Sequence, residues 1–262
     1  MGTERAGIVI EEKREGTGII TLNSPQTLNV LSTEMLKRLG ESISRLSSGR
    51  DIRAVIVTGK RNFSAGADIK EMRGMGEKEA EAFSRLGHSV LGSIVESDKP
   101  FIAAVNGFAL GGGCELALAC DIRVAGNNAR MGQPEVTIGL IPGFGATFRL
   151  PGVVGQAKAE ELILTGKVLT AKEALSIGLV NMVVEEGGDG DLLAKAVEIA
   201  GAVSQKGPYA LKAAKALIRR SAGFKEDMEK EISSFAGAFK TRDFIEGVSA
   251  FLEKRKARFS GE

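Results

Sequence analysis

Tryptophan is absent from these 262 residues, Tyr209 is the only tyrosine, and the 5% aromatic share is almost entirely phenylalanine. Stacking of nucleic-acid bases on aromatic faces is therefore poorly supplied. An excess of one charge is missing as well. The 35 Lys and Arg face 33 Asp and Glu, and this +2 balance gives no electrostatic reason to expect a nucleic-acid partner. One histidine, His88, and two cysteines make no cluster with the ligand count or spacing of a zinc or transition-metal site, so no metal is expected. Cys114 and Cys120 fall on different faces of one expected helix and do not suit a disulfide. No run reaches the roughly 18 apolar residues of a membrane span, so no membrane partner is expected. The opening string Met1-Gly2-Thr3-Glu4-Arg5 lacks the apolar segment of a signal peptide and the acid-poor bias of a transit peptide, and the expectation is a cytoplasmic protein.

What is present is a 43% hydrophobic chain, long enough to bury a substantial core. Ile8 to Glu12 and Gly18 to Leu22 read as a hairpin across Gly16. Ser32 can cap a helix with Met35, Leu36, Leu39, Ile43 and Leu46 at helical spacing, ending near Gly49. Arg53 to Gly59 and Phe101 to Val105 read as short buried strands, each followed by a loop and a helical stretch, and Asp121 to Ala125 reads as the next strand. This alternation favours an α/β core with crossover helices. Thr170 with Glu173 forms a capping box, and Leu179 to Val184 is a further strand. From Leu192 onward the pattern is helical, with Pro208 suited to a helix start and Phe235, Phe239, Phe244 and Phe251 spaced as apolar stripes. The expected organisation is an α/β core over residues 1–200 and a helical assembly region over 201–262.

Two glutamates stand out within the core. Glu115 follows the run Gly111-Gly112-Gly113, and Glu135 lies in Gln133-Pro134-Glu135. The glycines open an apolar helix whose first-turn N–H groups lack intrahelical partners and can hold an oxyanion. Gly112 and Glu115 share one side of that turn, which puts a carbonyl-polarising donor beside a proton-handling carboxylate. Taken alone, Glu115 also suits a helix macrodipole, Glu135 an exposed loop, Asp68 a helix start, and Lys70 and Lys254 a solvated surface.

The strings Ala65-Gly66-Ala67-Asp68-Ile69-Lys70-Glu71-Met72 and Ala103-Ala104-Val105-Asn106-Gly107-Phe108-Ala109-Leu110-Gly111-Gly112-Gly113-Cys114-Glu115-Leu116 resemble the enoyl-CoA hydratase (crotonase) family. The resemblance continues through Gly132-Gln133-Pro134-Glu135, Ile141-Pro142-Gly143 and Phe251-Leu252-Glu253-Lys254-Arg255-Lys256. It implies a crotonase-like spiral of ββα turns with C-terminal helices, assembling as a homotrimer or homohexamer. It implies an oxyanion hole from the N–H groups of Ala67 and Gly112, and Glu115 and Glu135 as the catalytic acids. It places the acyl-CoA along Ala65, Ala67, Asp68, Ile69, Lys70 and Gly112, with Lys254 from the C-terminal helix near the nucleotide phosphates. Coenzyme A is then part of the substrate, and no separate cofactor is implied. Retention of both carboxylates favours reversible syn hydration of a trans-2-enoyl-CoA to a 3-hydroxyacyl-CoA, the chemistry of fatty acid or related acyl-CoA degradation. The chain departs from the family pattern at Ala146 and Phe148, which bears on chain length and local packing.

Rival readings remain. A sibling isomerase, lyase or hydrolase of the same fold is the nearest. Cys114 at a helix N-terminus suits a thiol hydrolase or acyltransferase, although His88 is the sole histidine available as its base. A dinucleotide-binding dehydrogenase fails on spacing, because Leu116 occupies the third glycine position. A non-catalytic RNA-binding relative would be expected to lack one of the two acids.

Overall fold

The computed structural model describes residues 7–185, 189–218 and 224–258. The opening string Met1 to Arg5, read above for the absence of a leader, lies outside them. Strand β1 (Val9–Arg14) pairs antiparallel with β2 (Thr17–Leu22), as the hairpin reading expects. Helix α1 (Thr33–Ser48) starts where the Ser32 hydroxyl accepts from the Met35 N–H, and it buries Met35, Leu36, Leu39, Ile43 and Leu46 along one face. Next come β3 (Ala54–Gly59), α2 (Ile69–Met72), α3 (Glu77–Glu96), β4 (Phe101–Val105), β5 (Phe108–Leu110) and α4 (Gly112–Ala119). They are followed by β6 (Ile122–Gly126), β7 (Arg130–Gly132), a 3-10 turn Glu135–Ile138, α5 (Ala146–Val154) and α6 (Gln156–Thr165). The chain continues through β8 (Val168–Thr170), α7 (Ala171–Ser176) and β9 (Met182–Val184). It closes with α8 (Asp189–Ser204), α9 (Pro208–Ile218), α10 (Phe224–Ala238) and α11 (Arg242–Leu252).

Two sheets result. The larger has the order β1-β2-β3-β4-β6-β9 and is parallel from β2 onward; the smaller is β5-β7-β8. The chain visits them in turn. It places β4 in the large sheet, β5 in the small one, then a helix, and repeats the step with β6 and β7. A bridge between Ser64 and Ala109 begins the same step after β3. Each turn thus contributes two strands and a helix, the expected ββα spiral. The small sheet is absent from the sequence reading because its strands have three residues each, too short to display a two-residue alternation.

The central strands of the large sheet are buried on both faces, which is why β3 and β4 read as unbroken apolar runs. Ile19, Ala54, Ile56, Ile102 and Ala104 face Leu192, Ala196 and Ala200 of α8, while Ile20, Val55, Val57, Ala103 and Val105 join the main core on the other face. Helix α10 packs on α3, and α11 packs on the 3-10 turn. Phe235, Phe239 and Phe244 bury in the chain's own core, with the Phe239 centroid 5.4 Å from Phe235 and 4.2 Å from Phe244. Phe251 alone of the four is exposed, at 56%.

Candidate active site

Three backbone segments meet at one point, and the small sheet brings them there. Leu110 ends β5 opposite Gly132 at the end of β7, and the Gly111 N–H donates to the Gly132 carbonyl at 2.9 Å. Glu115 lies five residues beyond the first of these strand ends and Glu135 three beyond the second, so adjacent parallel strands close the gap in sequence. Ser64 joins the same edge: its N–H donates to the Phe108 carbonyl and its own carbonyl accepts from the Leu110 N–H. The Ala65 to Ala67 segment is thereby laid beside Leu110 to Gly112.

The glycine run follows from this crowding. A Cβ on Gly113 would stand 2.2 Å from the Ser64 carbonyl oxygen, and one on Gly66 would stand 2.7 Å from that of Leu110. Gly111 has φ 50 and ψ −123, a conformation that side chains with a Cβ rarely adopt, and a Cβ there would stand 2.9 Å from Glu135 Oε1. The Glu135 carboxylate therefore rests against the turn that opens α4.

Glu115 is buried in the first turn of α4. Its Oε1 accepts from the Phe144 N–H at 2.8 Å and from the Ala146 N–H at 2.9 Å. Ala146 is the first residue of α5, so the carboxylate also meets the positive end of a second helix. Glu135 opens the 3-10 turn and is half-buried. With the Gln133 amide in the orientation that satisfies its oxygen and nitrogen, its NH₂ donates to Glu135 Oε1 at 3.0 Å and to Oε2 at 3.3 Å. Gln133, 1% exposed, is a member of the site that the sequence reading passed over. Its place immediately before Pro134-Glu135 was the available signal.

Both carboxylates line a cavity of about 370 Å³. Ala65, Ala67, Ile69 and Gly112 also line it. Neither the Ala67 N–H nor the Gly112 N–H donates a hydrogen bond among the described residues. Both are therefore available to something in the cavity. The deep wall is apolar, built from Met72, Leu140, Phe144 and Phe235, whereas Leu28, Phe108, Val168 and Phe251 stand more than a third exposed toward the mouth. The Phe144 ring fills the space beside Gly87 and Gly112, and its centroid lies 5.4 Å from that of Phe83.

Three of the anticipated residues are not on these walls. Asp68 caps α2, its carboxylate accepting from the N–H groups of Lys70 and Glu71, and Lys70 is exposed. Lys254 is exposed and lies beyond α11 rather than in it, because the helix ends at Leu252. The turn holding Lys254, at φ 55, precedes Arg255, whose guanidinium donates to both oxygens of Glu246. Those hydrogen bonds, with one from the Arg258 N–H, hold the Glu246 carboxyl down at about 2.

The thiol alternative loses its chemistry here. Cys114 is buried, and desolvation, followed by the charges of Glu135 and Glu115, pushes its thiol up to about 12. A thiolate nucleophile at neutral pH is incompatible with that environment. His88 is buried on α3 and stacks on Phe148 with centroids 6.1 Å apart.

A spiral of ββα turns with backbone amides and carboxylates converging on one apolar cavity defines the crotonase class of α/β proteins. The solved enoyl-CoA hydratase/isomerase of Pseudoalteromonas atlantica superposes with a TM-score of 0.86 at 33% identity, covering 97% of this chain and 100% of that one. The short-chain-enoyl-CoA hydratase of Clostridium acetobutylicum is 44% identical over 254 residues, 95% of each chain. The crotonyl-CoA hydratase of Syntrophomonas wolfei is 42% identical over 257 residues, 96% of this chain and 97% of that one. The sequence profile of enoyl-CoA hydratase/isomerase matches residues 12–262. The chain belongs to the enoyl-CoA hydratase/isomerase family.

Proposed function

We propose that this cavity is where the chain, as an enoyl-CoA hydratase and so a hydro-lyase, adds water across the conjugated double bond of a trans-2-enoyl-CoA to give a 3-hydroxyacyl-CoA. The observation that carries the reading is the pairing of two carboxylates with two unengaged backbone N–H donors around one apolar cavity.

The thioester oxygen sits between the Ala67 and Gly112 N–H groups. Negative charge builds there as water attacks the β-carbon, and losing one such preorganised donor raises the barrier by about 3 kcal/mol. Glu115, ionised and held by two backbone donors, takes a proton from the attacking water. Glu135 delivers a proton to the α-carbon, so both additions occur on one face. Two carboxylates in a dry cavity resist joint ionisation, and the resting pair shares a proton.

The acyl group is short. The Phe144 ring closes the deep end beside Gly112, and two of the relatives carry short-chain or crotonyl in their names. The coenzyme A portion runs out past Ala65 and Ile69, and Lys70 and Lys254, both exposed, meet its phosphates outside the cavity. The chain assembles as a trimer or a pair of trimers. In this division of labour residues 201–262 supply Phe235 and Phe251 to a cavity otherwise lined from the first 200 residues.

Mixing purified protein with 2-enoyl-CoA esters of graded length tests the reading by loss of the ultraviolet conjugation band and gain of 3-hydroxyacyl-CoA. The expected result is fastest hydration of crotonyl-CoA. Conversion of a 3-enoyl-CoA without hydration of any 2-enoyl-CoA would replace the reading with the isomerase one.

A further inference from the structure

The Phe144 N–H that donates to Glu115 comes from a loop that is itself gripped from α3. Ser84, fully buried on that helix, donates its hydroxyl to the Gly143 carbonyl at 2.7 Å. The same peptide unit presents the Phe144 N–H to Glu115 Oε1 at 2.8 Å. One planar amide thus accepts from Ser84 on its oxygen and donates to Glu115 from its nitrogen. Serine in a helix interior commonly turns back to its own carbonyls, but this hydroxyl reaches a residue 59 positions away instead. One turn further along α3, Gly87 leaves the space that the Phe144 ring occupies, since a Cβ there would stand 2.2 Å from Phe144 Cδ1. Hydroxyl and ring socket hold the Gly143-Phe144 unit from the same helix.

We propose that Ser84 is a positioning residue for the hydration reaction: its hydroxyl pins and polarises the Gly143-Phe144 peptide, and through that peptide fixes the Glu115 carboxylate. The proposal rests on Glu115 handling a proton, as argued above. An N–H whose amide oxygen already accepts a hydrogen bond is a stronger donor, and a stronger donor favours the ionised carboxylate. Other charged or titratable groups are packed around this arrangement: Glu135 on the 3-10 turn, Cys114 on α4, His88 on α3 and Arg149 on α5, whose Nη1 donates to the Phe144 carbonyl. None of them receives the Ser84 hydroxyl, so removing it alters the amide first.

The test is the pH profile of crotonyl-CoA hydration by the full-length chain, comparing the parent with Ser84→Ala and the near-isosteric, weakly donating Ser84→Cys. In Ser84→Ala kcat is expected to fall roughly fivefold to tenfold with KM within about twofold. The acidic limb of the kcat profile is expected to move to higher pH, because a carboxylate robbed of donor strength ionises less readily. Ser84→Cys should lie between the parent and Ser84→Ala, and it carries the test if the alanine variant does not fold. A parental acidic limb in a folded variant, with or without lower kcat, overturns the proposal by reducing Ser84 to packing. Glu115→Gln, measured alongside, separates the layers. Strong loss there with unchanged Ser84 variants defeats only this inference, whereas parental turnover in Glu115→Gln defeats the reading beneath it.

Discussion

Glu115 and Glu135 face one cavity from unlike supports. Glu115 is carried on a helix, sealed from solvent, and held by backbone N–H groups of a second segment. Glu135 stands on a 3-10 turn, half-buried, and is held by the neighbouring side chain of Gln133. Backbone donors cannot be substituted away or rotated, so the first carboxylate is fixed by the fold. The second is fixed by a replaceable amide and by the glycine surface on which it rests. The difference teaches that one member of the pair is expected to tolerate change around it poorly and the other to be tunable.

Gly111→Ala strikes the shared wall and should have a larger effect than the changes at Gln133, Cys114 and Lys254. The backbone strain of about 1–3 kcal/mol should lower thermal stability. Displacement of Glu135 and of the opening turn of α4 should lower turnover on the order of a hundredfold. Near-parental activity would show that the two carboxylates do not share this wall. Gln133→Leu removes the amide support of Glu135. Turnover is expected to drop roughly tenfold, with unchanged far-ultraviolet dichroism and KM within a few-fold; an unaffected kcat would erase the distinction drawn here. Cys114→Ala should stay within about threefold of the parent, because the thiol packs and does not react. Its raised pKa keeps it protonated at pH 8, so iodoacetamide should leave it unmodified until the chain unfolds. The smallest effect on turnover belongs to Lys254→Glu, outside both supports. It should raise KM for crotonyl-CoA a few-fold at low ionic strength and lose that effect in salt, with kcat unmoved.

Much of this was legible along the chain. The hairpin, α1 with its Ser32 cap, the capping box at Thr170 and the apolar strands of the large sheet follow from spacing and turn chemistry. Glu115 and Glu135 were recognisable because the glycine run and Gln133-Pro134-Glu135 surround them. What escaped depends on contacts that no local pattern encodes. The small sheet is made of strands too short to read, yet it brings the two acids together. Ser84 and Gly87 look like ordinary positions on an amphipathic helix until the Gly143-Phe144 unit docks on them. Asp68, Lys70 and Lys254 sit in family strings, but Asp68 is engaged in capping and the two lysines face outward. The apolar stripe of Phe235, Phe239 and Phe244 was legible as a stripe, but not what it packs on, because the same spacing serves a helix buried against its own core or against a neighbour.

The central claim is that Glu115 and Glu135 act as one proton-handling pair, and the most direct measurement is steady-state hydration of crotonyl-CoA by Glu115→Gln, Glu135→Gln and the double variant. Each single change keeps shape and removes proton transfer, so each should lower kcat by at least about a hundredfold while KM stays within a few-fold. The double variant should be little worse than the poorer single one. Near-parental turnover in either single variant, or a double loss equal to the product of the two, would contradict the account.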